Sequence, residues 1–173
     1  ERGANNFIMS NRTNAANTSG GPITAFNSNG FEVDNNGYVN GSDSTYVSWT
    51  FRKAPGFFDV VTYSGTGSVQ NISHSLGSVP GMILIKMTSS SDSWIVYHRA
   101  LGATHFGSLN STNQFFDNDS RFNDTEPTAS VFTVGTDNGV NQNGQTFVAY
   151  LFAHDDQSFG TNSDEAIIKC GSY

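Results

Sequence analysis

Two stretches of this chain read as copies of one another at a fixed offset of about 100 positions. Residues 31–51 run FEVDNNGYVNGSDSTYVSWTF and residues 132–152 run FTVGTDNGVNQNGQTFVAYLF. Without a gap, Phe31 falls on Phe132, Val33 on Val134, Val39 on Val140, Asn40 on Asn141, Thr45 on Thr146, Val47 on Val148 and Phe51 on Phe152. Tyr46/Phe147 and Trp49/Tyr150 are conservative pairs. Upstream, Arg2, then Gly3-Ala4-Asn5-Asn6-Phe7, then Asn11, Thr13 and Asn14 line up with Arg99, Gly102-Ala103-Thr104-His105-Phe106, Asn110, Thr112 and Asn113. Self-similarity at a fixed period means similar modules set in an array, and arrays build scaffolds or multivalent binders. The first residues match the middle of a unit, so the pattern predicts a chain cut mid-repeat at both ends.

Composition narrows the class. Charged residues are 13% of the 173, about half the usual share of a soluble domain. Asn alone makes up about one residue in nine, and Ser, Thr and Gly supply most of the remaining polarity. Such a mixture would be disordered if aromatics were scarce, but Phe 14, Tyr 6 and Trp 2 can build a core. The net charge of −7 and the scattered Lys and Arg exclude a nucleic-acid surface, which needs a basic stripe. Cys170 is alone, so no internal disulfide or CxxC metal knuckle exists. No stretch has the length and apolarity of a membrane span, and residues 1–7 lack the pattern of a signal peptide. The Asn-x-Ser/Thr sequons at Asn11, Asn17, Asn40, Asn71, Asn110, Asn118 and Asn123 are what chance yields at this composition.

Helical periodicity is nearly absent, and alternation is everywhere. Residues 45–51 place Val47, Trp49 and Phe51 on one face, and the second copy places Val148, Tyr150 and Phe152 on the matching face. Residues 57–63, 82–87 and 94–99 are further strands, the middle one apolar enough to be covered on both sides. Turn clusters fall at 17–22, 35–43, 64–67, 89–93 and 137–144. Within them Asn36-Gly37, Asn40-Gly41, Asn138-Gly139 and Asn143-Gly144 suit tight turns with positive φ. The reading is an all-β chain, an antiparallel β-sandwich or jelly roll in tandem units. Residues 1–54 form the trailing part of one unit, 57–160 a complete unit, and 161–173 the start of a further one, where 167–173 echo 57–63. The seam is Arg52-Lys53-Ala54-Pro55-Gly56.

The segments SWTFRKAPGFFDVVTYSGTG, HSLGSVPGMILIK, WIVYHRALGAT, FTVGT and FVAYLFAHD together resemble an uncharacterised repeat domain of tailed-phage virion proteins. The domain is familiar from marine and cyanobacterial phages, in tail-fibre-like structural proteins. The resemblance spans essentially the whole chain. It implies a virion-surface location and other virion proteins as partners, and it carries no catalytic residues.

Chemistry-bearing residues do not assemble an enzyme. His74, His98, His105 and His154 match no metal-ligand spacing. His74 reads instead as a turn residue bonded to nearby backbone. No G-x-S-x-G elbow appears, and no pair of carboxylates is set as glycosidases require. Asp117, Asp119, Asp124 and Glu126 crowd a polar loop, a weak calcium candidate because oxygen ligands are dense there. Sugar binding is the better fit, since it pairs aromatic platforms with amide and carboxylate side chains. Trp94, Tyr97, Phe115, Phe116 and Phe122 are the aromatics nearest the polar loops. The expected function is therefore a phage tail-fibre or tail-associated module contacting host glycans, without enzymatic activity or cofactor. The alternatives are a capsid-decorating protein with a purely structural role and a secreted lectin-like module. Open strand edges predict a homo-oligomer, a trimer above all, joined through residues 1–54; the alternative is that further sequence completes the fold within one chain.

Overall fold

The computed structural model describes residues 3–171. Arg2, aligned above with Arg99, and Ser172 and Tyr173 of the 167–173 echo lie outside the described residues. The chain opens with a hairpin of β1 (Ile23–Asn27) and β2 (Gly30–Val33), followed by a one-turn helix α1 (Gly37–Asn40). Then come β3 (Phe58–Ser64), β4 (Gln70–Ser73), β5 (Pro80–Met87), β6 (Ile95–His98), β7 (His105–Ser108) and β8 (Phe116–Asp117). A second short helix α2 (Asp119–Phe122), β9 (Val131–Val134), a third short helix α3 (Asn138–Asn141) and β10 (Thr146–Ala153) complete it. All named pairings are antiparallel. The fold is all-β and sandwich-like: a six-stranded sheet ordered β3-β10-β5-β6-β7-β8 carries a β4-β9 ribbon on one face.

Strand alternation assigns each face. Phe147, Ala149 and Leu151 of β10, Ile83, Ile85 and Met87 of β5, and Ile95 and Tyr97 of β6 join one core. The ribbon closes over it with Ile72, Phe132 and Val134, the short helices add Phe122 and Val140, and the loops add Leu76 and Ala103. Tyr63 stacks on Phe147 with centroids 5.1 Å apart, and its hydroxyl donates to the Val140 carbonyl at 2.7 Å. Burial raises the Tyr63 phenol above its ordinary range. On the opposite face lie Phe58, Leu84, Trp94, Val96, Val148 and Tyr150, and residues 9–16 cross over it. There Trp94 Nε1 donates to Met9 O (2.9 Å), Ala16 N to Thr88 O (2.9 Å) and Asp92 N to Thr13 O (2.9 Å). β5 is thus covered on both sides, as its unbroken apolar run predicts.

The two similar stretches share part of their secondary structure. β2 and α1 in the first occupy the positions of β9 and α3 in the second. Each helix opens on a side-chain cap: Asn36 accepts from Tyr38 N at 2.9 Å and Asp137 from Gly139 N at 2.6 Å. The Phe7–Asn17 bridge likewise repeats the Phe106–Phe116 pairing of β7 and β8. Residues 45–51 depart from expectation. They form no strand, and Val47 and Trp49 are each 79% exposed, whereas Val148 is 0% exposed within β10. The correction has a plain cause: β10 has β3 on one side and β5 on the other to accept its backbone groups, and residues 45–51 have neither neighbour.

The Asn-Gly expectation is also corrected in part. Gly37 and Gly139 sit inside α1 and α3, Gly41 caps α1 at φ −71°, and of these glycines only Gly144 takes a positive φ, 76°. Residues 167–171 form no strand either; Ile168 packs against the core and Cys170 is buried beside Ala153 O and Gly81. Burial raises the Cys170 thiol, which keeps it protonated.

Asn141 is the polar centre of the second copy. Its Oδ1 accepts from Thr66 N (2.8 Å) and Gln70 Nε2 (2.7 Å), and its Nδ2 donates to Ser68 O (2.7 Å) and Gly135 O (2.6 Å). Every bonding site of a fully buried amide is filled. Replacing Asn141 by Ala strands those partners and is expected to cost about 3 kcal/mol or more, while the same change at exposed Asn40 costs little; urea unfolding of both variants reads the difference. Likewise Val148→Ala should cost about 2 kcal/mol and Val47→Ala less than about 0.5 kcal/mol by the same measurement. Equal losses at the two valines would mean that residues 45–51 are buried after all.

Candidate functional site

The open ground of the far face is a cleft of aromatic rings. Trp94 stacks on Tyr150 at 6.0 Å, Tyr150 on Phe58 at 6.4 Å, and Phe58 meets Phe152 at 5.0 Å. Phe51, just before the seam, closes this row at 5.5 Å from Phe58 and edge-on to Phe152 at 5.9 Å. The order follows from the sheet: Val60, Tyr150, Leu84 and Val96 stand side by side on β3, β10, β5 and β6, and Phe58 and Trp94 lie on the same face two residues along from Val60 and Val96, diagonal to that row. Two adjoining hollows of about 380 Å³ and 260 Å³ share Phe51, Phe58, Val60 and Tyr150, with Ser10, Asn6 and Lys53 at their rims. Such a surface suits apolar side chains or the C–H face of a sugar ring.

The five aromatics expected to bind glycan are split by burial. Trp94 is 5% exposed, Tyr97 2% and Phe122 2%, so none offers an open ring face. Tyr97 and Phe122 pack edge to face at 5.7 Å in the core, and the Tyr97 hydroxyl donates to Glu126 Oε2 at 2.7 Å. Burial first, and the Glu126 carboxylate second, raise that phenol above its ordinary range. Phe115 is half-buried because its ring lies against Gly107, where a β-carbon would come within 2.6 Å of it. Phe116 is 44% exposed on the last strand of the sheet, 6.0 Å from Phe106. The Arg121 guanidinium sits 4.5 Å over the Phe106 ring and pairs with Asp137 at 2.5 Å.

The calcium candidates do not converge. Asp117, Asp119 and Asp124 are exposed, and among the described residues no three His, Cys, Asp or Glu side chains are grouped to hold a metal ion. Asp119 stands in the first turn of α2, and Glu126 is engaged by Tyr97 and by Ala103 N at 2.7 Å. The four histidines are likewise dispersed. His74 is a turn residue, as its context predicts: Nδ1 accepts from Leu76 N at 3.3 Å, which leaves Nε2–H to donate to Thr128 O at 3.2 Å.

Sequence reasoning passed over the ion pair that fixes the seam. Asp59, 2% exposed, accepts from Ser75 N (2.7 Å) and Val60 N (2.8 Å) and pairs with Lys53 at 2.9 Å. Burial pushes its carboxyl upward, but the Lys53 ammonium and the two backbone donors outweigh that, and its pKa lies below the ordinary 3.8. The signal available was a carboxylate inside an apolar strand pattern six residues after a lysine.

Acid stability follows from these two groups. Burial holds the His74 imidazole below 6.5, so the unfolded chain takes up the proton first and stability starts to fall as pH drops below 6.5. The Asp59 contribution is complete above 3.8 and is lost as pH falls from there through the lower folded value. Urea midpoints measured from pH 8 to pH 3 should show both declines. Asp59→Asn should cost about 2 kcal/mol at pH 7 and shrink the lower decline, while the upper decline persists.

No curated protein and no solved structure matches the chain. One family model does, over residues 1–171, and its description is "Domain of unknown function (DUF7483)". By that match over almost its whole length, the chain belongs to the family of that description.

Proposed function

We propose that this chain is a structural module of a phage virion, exposed on a tail fibre or a tail-associated protein and assembled from repeated β-units. The observation that carries the reading is recurrence of local structure at about 100 residues: β2 with α1 against β9 with α3 at an offset of 101, and the Phe7–Asn17 bridge against the β7–β8 pairing at an offset of 99. The sparsely charged, Asn-rich composition and the long motifs that resemble those of tailed-phage virion proteins support the same reading. A module of this kind works by shape and multiplicity, not by catalysis, and symmetric self-association, a trimer above all, multiplies weak contacts. Capsid decoration is the rival within the particle, and a secreted lectin the rival outside it.

Contact with host glycan is the second part of the proposal. The observation in its favour is the exposed Phe116 ring beside Phe106, which carries Arg121 over its face, with Asp117 on the outer strand and Asp119 in the first turn of α2. Of the five aromatics, Phe116 is the one with a face free to stack on a sugar.

Immunogold microscopy of virions with antibody raised against residues 1–173 tests the location. Label along tail fibres is the expected result; label on the capsid lattice favours decoration, and unlabelled particles remove the virion reading. On a glycan array, host surface sugars should bind the chain, and Phe116→Ala should weaken that binding about tenfold. Unchanged binding in that variant would move the contact elsewhere, and an array without signal would remove the glycan proposal.

A further inference from the structure

Phe31, Val33, Val39, Tyr46 and Val47 line an open groove of about 380 Å³. Their counterparts Phe132, Val134, Val140, Phe147 and Val148 are each no more than 2% exposed. In the second copy the corresponding space is filled by Ile83, Ile85 and Met87 of β5, which share one core cluster with Phe132, Val134, Val140 and Phe147. The same β5 and its fellow strand β3 hold β10 by hydrogen bonds along its length. The first copy keeps the matching frame, because β2 and α1 stand where β9 and α3 do. Its neighbours are what differ: β9 pairs with β4, whereas β2 pairs with β1, the stretch just before it.

Residues 44–51 have the composition of an interior strand. They contain no charged residue and no proline, the two devices that protect an edge, and Arg52 and Lys53 follow only at the seam. We propose that residues 45–52 dock as the middle strand between a β3-type and a β5-type strand supplied by another unit of the same kind, with the groove receiving the Ile/Met face of the β5-type strand. The register follows from β10, where Phe147 faces Met87, Ala149 faces Ile85 and Leu151 faces Ile83. Tyr46, Ser48 and Thr50 therefore meet the positions of Met87, Ile85 and Ile83, and Val47, Trp49 and Phe51 turn to the opposite face.

The chain's own β3 is a poorer partner. The Ala54–Phe58 bridge brings the segment to that edge, yet the edge is already occupied by side chains. Asp59 takes the Val60 N–H, Lys53 Nζ the Val60 carbonyl at 2.9 Å, and Gln70 Nε2 the Ser64 carbonyl at 3.1 Å. The inference rests on the repeat reading and not on where the protein sits on a particle, so virion labelling and the experiment below can fail separately.

The experiment places a second copy of residues 57–101 directly before Gly3 of the full chain, the join that the alignment of Gly3 with Gly102 dictates. Residues 45–52 occur once in either protein, so hydrogen exchange reads them without ambiguity. Their amides should exchange at least about 100-fold more slowly in the extended chain than in the original, and Val47→Asp should abolish that slowing. Equally fast exchange in the two proteins overturns the proposal. So does protection already present in the original chain if light scattering finds it monomeric, because the segment then closes on its own β3; protection in a dimer, where a second copy supplies the strands, supports the proposal. If the extended chain is insoluble, a lysine-flanked peptide of the β5 sequence is titrated against the Trp94→Phe chain, where Trp49 is the one remaining indole. A shift of its emission to shorter wavelength supports docking, and a constant spectrum overturns it.

Discussion

Everything in this structure leans on β10 being held from both sides. Seven residues of it pair with β3 and seven with β5, and no residue of β10 on the core face is exposed. Buried backbone groups need partners, and a strand in the middle of a sheet finds them only in its neighbours. With β10 placed, the sheet order is set, and the β4-β9 ribbon can close one face while residues 9–16 cross the other. The comparison with residues 45–51 shows how much depends on those neighbours. A sequence that alternates as β10 does lies as exposed coil where the flanking strands are lacking.

The sheet is apolar on both faces, which ties the N-terminal stretch to the rest. One face is sealed by local chain: ribbon, short helices and the Asn141 network, whose four bonds knit residues 66–70 to 135–141. The other face is sealed by residues far away in sequence, through Met9, Thr13 and Ala16, and by Phe51 at the seam. An aromatic row left partly open between these two coverings is the natural outcome of a sheet too apolar for water and too wide for the chain that crosses it.

The seam is electrostatic as well as apolar. Lys53 and Asp59 stand either side of the tight turn that carries Gly56 at φ 72°, and they cap the outer edge of β3 at Val60. A sheet edge blunted in this way resists further pairing. Residues 45–51, directly before it, contain no charged residue and no proline, so two adjacent segments contrast in how an edge would be protected.

By itself the sequence determined the strands that alternate and possess their neighbours: β3, β5, β6 and β10 lie where period-two patterning puts them, and β5 is covered on both sides as its unbroken apolar run requires. It determined the turn role of His74 and the likeness of residues 31–51 to 132–152. Tertiary structure decided the rest. Alternation says which side chains share a face but not whether a partner strand is present, so Val47 and Val148 read alike and differ completely in burial. Aromatic residues near polar loops read as a sugar platform, yet parity within β6 sends Tyr97 into the core, and residues 9–16 cover Trp94. Asn-Gly pairs read as tight turns, while a side-chain cap from Asn36 or Asp137 turned two of them into helix starts. Each of these outcomes rests on contacts between residues distant in the chain, and local pattern carries no record of them.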